Sequence, residues 1–193
     1  MSKGIWNISL VGVGGQGIIL TSDVLARAAM ISGYDVKKSE IHGMSQRGGS
    51  VISQVRFGEK VASPIVADGT SDVLVAFERV EALRWARLAK PDGRVLVNRA
   101  DIVPVTVSSG MQPPAQRVEE RLAELPGLVV VDSAPLAAEA GNARTANLVI
   151  AGALSRLLPL EEAAWTEAIR VRIPEKLQAV NLKAFALGRG AVA

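Results

Sequence analysis

His42, Ser45, Gln46 and Arg47 lie within a few residues of one another and run into the glycine pair Gly48–Gly49. His42 is the only histidine in the chain. An imidazole can move a proton or donate to an oxyanion. A guanidinium offers a planar fork for phosphate or carboxylate. Ser45 and Gln46 add hydrogen-bond donors, and a Gly–Gly backbone admits close approach of a ligand or a second chain. No Ser–His–acid constellation can be assembled from the spacing, so hydrolase chemistry is not supported and no catalytic residue is assigned. The alternatives are a polar crossover whose residues satisfy one another, or a loop that docks a partner.

A second chemical feature precedes it. The run GVGGQG places Gly12, Gly14 and Gly17 in the G-x-G-x-x-G spacing, with Gly15 and Gln16 between. It follows an apolar run and opens a helical pattern, so its amides can face an anion such as phosphate at the helix start, near Gly15–Gly17. A nicotinamide site needs an acid at the end of the second strand to hold the ribose. Asp35 begins that strand and Glu40 comes late in it, so the dinucleotide pattern is incomplete. A tight strand-to-helix turn with close packing is the simpler reading.

The elements that must hold these residues are legible in outline. Residues 6–11 read as a buried strand, and Ile18–Ile31 carries Leu20, Val24, Leu25 and Ala28 at helical spacing. Residues 35–41 form a second strand whose carboxyl end delivers the His42 loop. Residues 50–57 alternate, with Val51, Ser53, Val55 and Phe57 on one face and a wetter face opposite. A turn at 57–61 then lets residues 61–63 return as a hairpin. Residues 72–78, 94–98 and 128–132 read as further strands, and Pro104 puts 101–107 at an edge. Helices are expected over 80–89, closed by KPDG, and over 113–125, 146–158, 160–169 and 174–187. Gly152 interrupts an apolar helix, which suggests close helix packing, and Asn147 near its start suggests capping or local packing. The early β–α–β order and the continuous strands are those of an α/β domain: a Rossmann-like three-layer α/β/α fold with a mostly parallel, partly mixed sheet over residues 1–193.

Bulk composition narrows the function. The chain is 49% hydrophobic and 21% charged, enough for a packed core. A net charge of +3, without basic residues interleaved with aromatics, gives no nucleic-acid face. Zero cysteines exclude disulfides and any iron–sulfur cluster held by this chain alone, and one histidine excludes a His-rich metal site. The first residues lack a signal-peptide pattern, and no apolar run approaches the ~18 residues of a membrane span, so a cytoplasmic location is expected.

Five stretches together resemble one family: GVGGQGI at 12–18, SEIHGMSQRGGSVISQVRFGEKVASPIV at 39–66, DVLVAFERVEALR at 72–84, NARTANLVIAGAL at 142–154 and EKLQAVNLKAFALG at 175–188. The sequence is similar to the gamma subunit or domain of 2-oxoacid:ferredoxin oxidoreductases, and among them to the short separate subunits of the indolepyruvate type. The resemblance implies an accessory subunit, inactive alone, of a complex that converts a 2-oxoacid to acyl-CoA, CO2 and reduced ferredoxin. It implies that thiamine diphosphate, the iron–sulfur clusters and coenzyme A belong to the complex, mainly to a larger partner subunit that also meets ferredoxin. Gly14, Gly15, Gln16, Gly17, His42, Ser45, Gln46, Arg47, Gly48 and Gly49 would then form the face turned toward ligand or partner. A stand-alone nucleotide-binding oxidoreductase and a non-enzymatic interaction module are the competing readings.

Overall fold

The computed structural model describes residues 4–42, 49–103 and 105–192. Six strands form one sheet in the order β2-β3-β1-β4-β5-β6. They are β1 (Trp6–Val13), β2 (Asp35–His42), β3 (Ser50–Gly58), β4 (Ser71–Ala76), β5 (Ala89–Asn98) and β6 (Leu128–Val131). β1, β4, β5 and β6 run parallel to one another. β3 is antiparallel to both β1 and β2. The carboxyl ends of β1, β2, β4, β5 and β6, and the start of β3, therefore share one edge of the sheet.

Helices cover both faces. On one lie α1 (Ile18–Ile31), α5 (Ser133–Ala140), α6 (Ala146–Ser155), α7 (Glu162–Arg172) and α8 (Glu175–Gly190), packed with Ile8, Leu10, Val55 and Phe57 into the larger core. On the other, α2 (Arg79–Arg84) and α4 (Val118–Ala123) enclose Val11, Ile52, Leu74 and Val95 with Ala82 and Leu122. The three-layer α/β/α expectation holds, with a continuous apolar β4 at the centre as parallel packing requires.

Position 152 is a glycine because α8 crosses α6 there. A Cβ on Gly152 would fall 2.0 Å from the carbonyl oxygen of Phe185, and one on Gly188 would fall 1.9 Å from that of Val149. The two backbones touch through reciprocal glycines, and α6 is buried from Asn147 to Ser155. Trp165 of α7 closes the same core against Phe185, ring centroids 6.0 Å apart.

Several local expectations are corrected. Residues 61–63 form no strand; the hairpin partner of β3 is β2, joined to it through the His42 loop. The segment after β3 covers its second face instead: Gln54 exchanges side-chain bonds with both the amide and the carbonyl of Val66, and Arg56 donates to the carbonyl of Ser63. That removes the wet face which the alternation suggested. The helix expected over 80–89 is shorter, followed by a 3-10 turn (Ala86–Leu88), and KPDG lies within β5 rather than ending a helix. Residues 101–103 are not a strand, and a short helical turn, α3 (Val105–Ser108), follows; Pro104 is outside the described residues. α4 starts only at Val118, after Arg117 in a left-handed conformation (φ 52°). α5, which the sequence reading missed, is capped by the Asp132 carboxylate on the amide of Ala134.

Candidate functional site

The turn after β1 is held by a side chain. Gln16 Oε1 accepts from the amide of Val13 at 2.7 Å, and its Nε2 donates to the carbonyl of Phe77 at 2.8 Å. Gln16 thus ties the end of β1 to the end of β4. Gly17 caps α1 with φ 81°, a left-handed conformation suited to glycine. Among the described residues no side chain caps this helix, and no acid lies in its first turn.

The two ends of the His42 loop lie beside this turn. In the sheet register Val51 pairs with His42 on one side and with Gly12 on the other, and Ser50 pairs with Val13. The amide of Gly14 donates to the carbonyl of Gly49 at 2.9 Å. Of the residues singled out in the sequence, the structure brings together Gly14, Gly15, Gln16, Gly17 and Gly49. The backbone of His42 lies at the same edge, while Ser45, Gln46, Arg47 and Gly48 lie outside the described residues. The topology also explains why neither acid of β2 suits a ribose. β3 stands between β1 and β2, so the end of β2 is not the neighbour of the glycine turn that a nicotinamide unit requires. Asp35 is engaged elsewhere, with Lys37 and with the amide of Val61, and these bonds hold its carboxyl below the usual range.

A cluster that sequence reasoning missed adjoins the loop. Glu81 of α2 accepts from the hydroxyl of Ser50 and, at 3.2 Å, from the indole Nε1 of Trp85. It also pairs with Arg84. Glu78 caps α2 through the amide of Glu81, at 2.9 Å. Its other oxygen, Oε1, is buried without a hydrogen-bond partner among the described residues, and the residue is 2% exposed. Burial pushes its pKa up, and the charges of Glu81 and Asp101 push the same way. A carboxyl shifted toward its neutral form can donate a hydrogen bond as well as accept one. The available signal was the E-x-x-E spacing immediately after an apolar strand, which is a capping pattern placed at the ligand edge of the sheet. Asn98 completes this edge: it donates to the carbonyl of Phe77 and accepts from the amide of Ser133, linking the ends of β4, β5 and β6. Among the described residues, no group of three or more His, Cys, Asp or Glu is placed to hold a metal ion.

The family model described as pyruvate ferredoxin/flavodoxin oxidoreductase matches residues 7–191. The chain belongs to this family. The indolepyruvate oxidoreductase subunit IorB of Thermococcus kodakarensis is 44% identical over 189 residues, covering 95% of this chain and 94% of that protein. The gamma subunit of a keto/oxoacid ferredoxin oxidoreductase from Geobacter sulfurreducens has the same fold, with a TM-score of 0.73 at 24% identity, covering 96% of this chain and 97% of that one. A 2-oxoglutarate:ferredoxin oxidoreductase from Magnetococcus marinus, solved with 2-oxoglutarate, coenzyme A and succinyl-CoA bound, matches with the same score and identity; there the match covers 97% of this chain but 31% of the other. The fold of the family thus occurs both as a chain of its own and as part of a longer one.

Proposed function

We propose that this chain is the accessory, gamma-type subunit of a 2-oxoacid:ferredoxin oxidoreductase whose 2-oxoacid is indolepyruvate. The observation that carries this reading is the 44% identity to an indolepyruvate oxidoreductase subunit along almost the full length of both chains. The complex would oxidatively decarboxylate the 2-oxoacid, pass the acyl group to coenzyme A, and reduce ferredoxin. Thiamine diphosphate supplies the carbanion-stabilising chemistry of such a decarboxylation and iron–sulfur clusters the electron path. The clusters are assigned to a larger partner subunit, because this chain has no cysteine to ligate one, and thiamine diphosphate is assigned to the same partner as part of this reading. A cytoplasmic setting belongs to the same proposal; among the described residues no helix is long and apolar enough to cross a membrane.

This chain would contribute the carboxyl edge of its sheet. The Gly14–Gly49 contact joins the glycine turn to the foot of the His42 loop, and Glu81 holds Ser50 on the other side. A loop anchored at its foot can meet coenzyme A, the substrate or the partner subunit with little further loss of chain freedom.

The test is to produce this chain with its larger partner and assay the complex. Indolepyruvate oxidation dependent on coenzyme A and an electron acceptor is expected from the pair and not from either chain alone. Turnover by this chain alone, or a complex that oxidises only other 2-oxoacids, would overturn the corresponding part of the assignment.

A further inference from the structure

The amino edge of the parallel strands, opposite the glycine turn, carries an irregularity that the subunit assignment leaves unused. β4 and β5 pair at Ser71–Ala89 and again at Val73–Arg94, so Asp72 stands alone against the run Lys90–Gly93, the KPDG of the sequence. A bulge in a ladder re-aims side chains, and bulges gather at sheet edges and beside active sites. Gly93 lets this one lie flat on its neighbour: a Cβ there would fall 3.0 Å from the carbonyl oxygen of Ser71.

A cavity of about 170 Å³ opens against the bulge. Pockets for drug-sized ligands run to about 300–1,000 Å³, so this one suits a smaller molecule. Its buried side is apolar, with Val73 and Leu157, and is extended by Trp6, whose ring is stacked on Phe57 with centroids 6.3 Å apart. Its outer side carries charges of both signs. Asp72 is engaged there: its carboxylate accepts from Lys90 and, at 2.7 Å, from the amide of Asn7. That contact explains how the bulge is held to β4 and β1. It leaves over Asp92 and Arg94, which line the cavity, are exposed, and make no ion pair or side-chain hydrogen bond among the described residues.

We propose that this cavity binds a free α-amino acid as its zwitterion. The carboxylate would take the guanidinium of Arg94, whose planar fork matches it with two parallel bonds. The ammonium would lie between Asp92 and Asp72, since a carboxylate has lone pairs to spare after two bonds. The side chain would rest on Trp6, Val73 and Leu157. Two acids and two bases line the cavity, so its own charges balance. A ligand with both signs and no net charge complements such a site better than an anion or a cation does. The site lies at the edge of the sheet away from the Gly14–Gly49 contact, and the assignment does not rest on the identity of the 2-oxoacid or of the partner subunit.

Calorimetric titration of the whole chain with leucine, leucinamide, isocaproate and glycine tests the proposal, with the amide signal of Gly93 as a local reporter. Leucine is expected to bind tightest, at about 0.1–1 mM for a molecule of this size in an open site, and to move that signal. Leucinamide lacks the carboxylate, isocaproate the ammonium and glycine the side chain, so each is expected to bind more weakly. Arg94→Gln and Asp92→Asn, both surface changes that should fold normally, are each expected to weaken leucine roughly tenfold. Leucinamide or isocaproate binding as tightly as leucine would overturn the zwitterion assignment, and glycine doing so would overturn the apolar contact. Absence of saturable binding well above the expected range, or variants that bind like the parent, would overturn the site. Since the titration uses this chain alone, its failure leaves the subunit assignment standing, and failure of the two subunits to assemble leaves the cavity assignment standing.

Discussion

The main-chain amide of Gly14 donates to the main-chain carbonyl of Gly49 across 2.9 Å. One residue belongs to the turn that opens α1, the other to the foot of the loop that opens β3. They meet because β3 is paired with β1 through its whole length, up to Val13 opposite Ser50. Gly14 and Gly49, 35 positions apart in sequence, thus meet at the carboxyl edge of the sheet.

Gln16 should be felt first as a structural residue. Gln16→Ala removes both its bond from the Val13 amide and its bond to the Phe77 carbonyl. At the usual net value per hydrogen bond, the loss is about 1–3 kcal/mol of stability. Urea unfolding of the isolated chain reads this directly; an unchanged midpoint would show that water replaces both bonds without cost.

The glycine crossing predicts a reversal of helix propensity. In an exposed helix Gly→Ala gains about 1 kcal/mol. At Gly152 the new Cβ meets the backbone of α8, which cannot move aside without parting the helices, so Gly152→Ala should cost about 3 kcal/mol or more. Gly190, at the end of α8, has nothing within 4 Å of where its Cβ would lie, and Gly190→Ala should be neutral or mildly stabilising. Comparing the two melting temperatures tests the crossing; equal effects would refute it.

Glu78 carries a pH signature. Burial raises its pKa, so the native state binds this proton more tightly than the unfolded chain, whose glutamates titrate near about 4.3. Its favourable contribution is therefore complete below that value and is lost as pH rises through the folded pKa. Glu78→Gln keeps a carbonyl to accept from the Glu81 amide and removes the ionisation. The variant should gain in melting temperature relative to the parent as pH is raised from acid to neutral. A constant difference across that range would mean that Glu78 ionises in the fold as it does in the unfolded chain.

Arg47 tests the proposed role of the loop in the assembled enzyme. Loss of one charge-assisted contact to a phosphate or carboxylate costs about 1.5–3 kcal/mol, or roughly ten- to a hundredfold in affinity or rate. Arg47→Ala should leave the melting temperature of the isolated chain nearly unchanged. A raised KM for coenzyme A or 2-oxoacid in an intact complex would mark ligand contact, and failure to co-purify would mark docking. Full activity of an intact complex would show that the loop serves only as a crossover.

The sequence alone determined the layered α/β class, because continuous apolar runs such as Val73–Phe77 suit a strand covered on both faces. It also located the glycine turn, the loop and the need for close packing at Gly152, since glycine at fixed spacing constrains backbone locally. What only the tertiary structure decided was which strands are neighbours. Residues 50–57 alternate like a hairpin strand with a wet face, yet β3 is inserted between β1 and β2, and its polar Gln54 is satisfied by Val66 rather than by water. Asn147 could be read as a cap because a helix start explains a polar residue locally; its place against Gly17 exists only once α6 is packed on α1. Glu78 and Glu81 look like ordinary surface acids in a list of residues, and it is the burial of the β4–α2 corner that leaves one carboxylate oxygen without a partner among the described residues and makes the other carboxylate the anchor of Ser50. Periodicity and spacing act along the chain, whereas desolvation and pairing between distant segments depend on what lies across the space between them, and that is fixed only when the sheet is assembled.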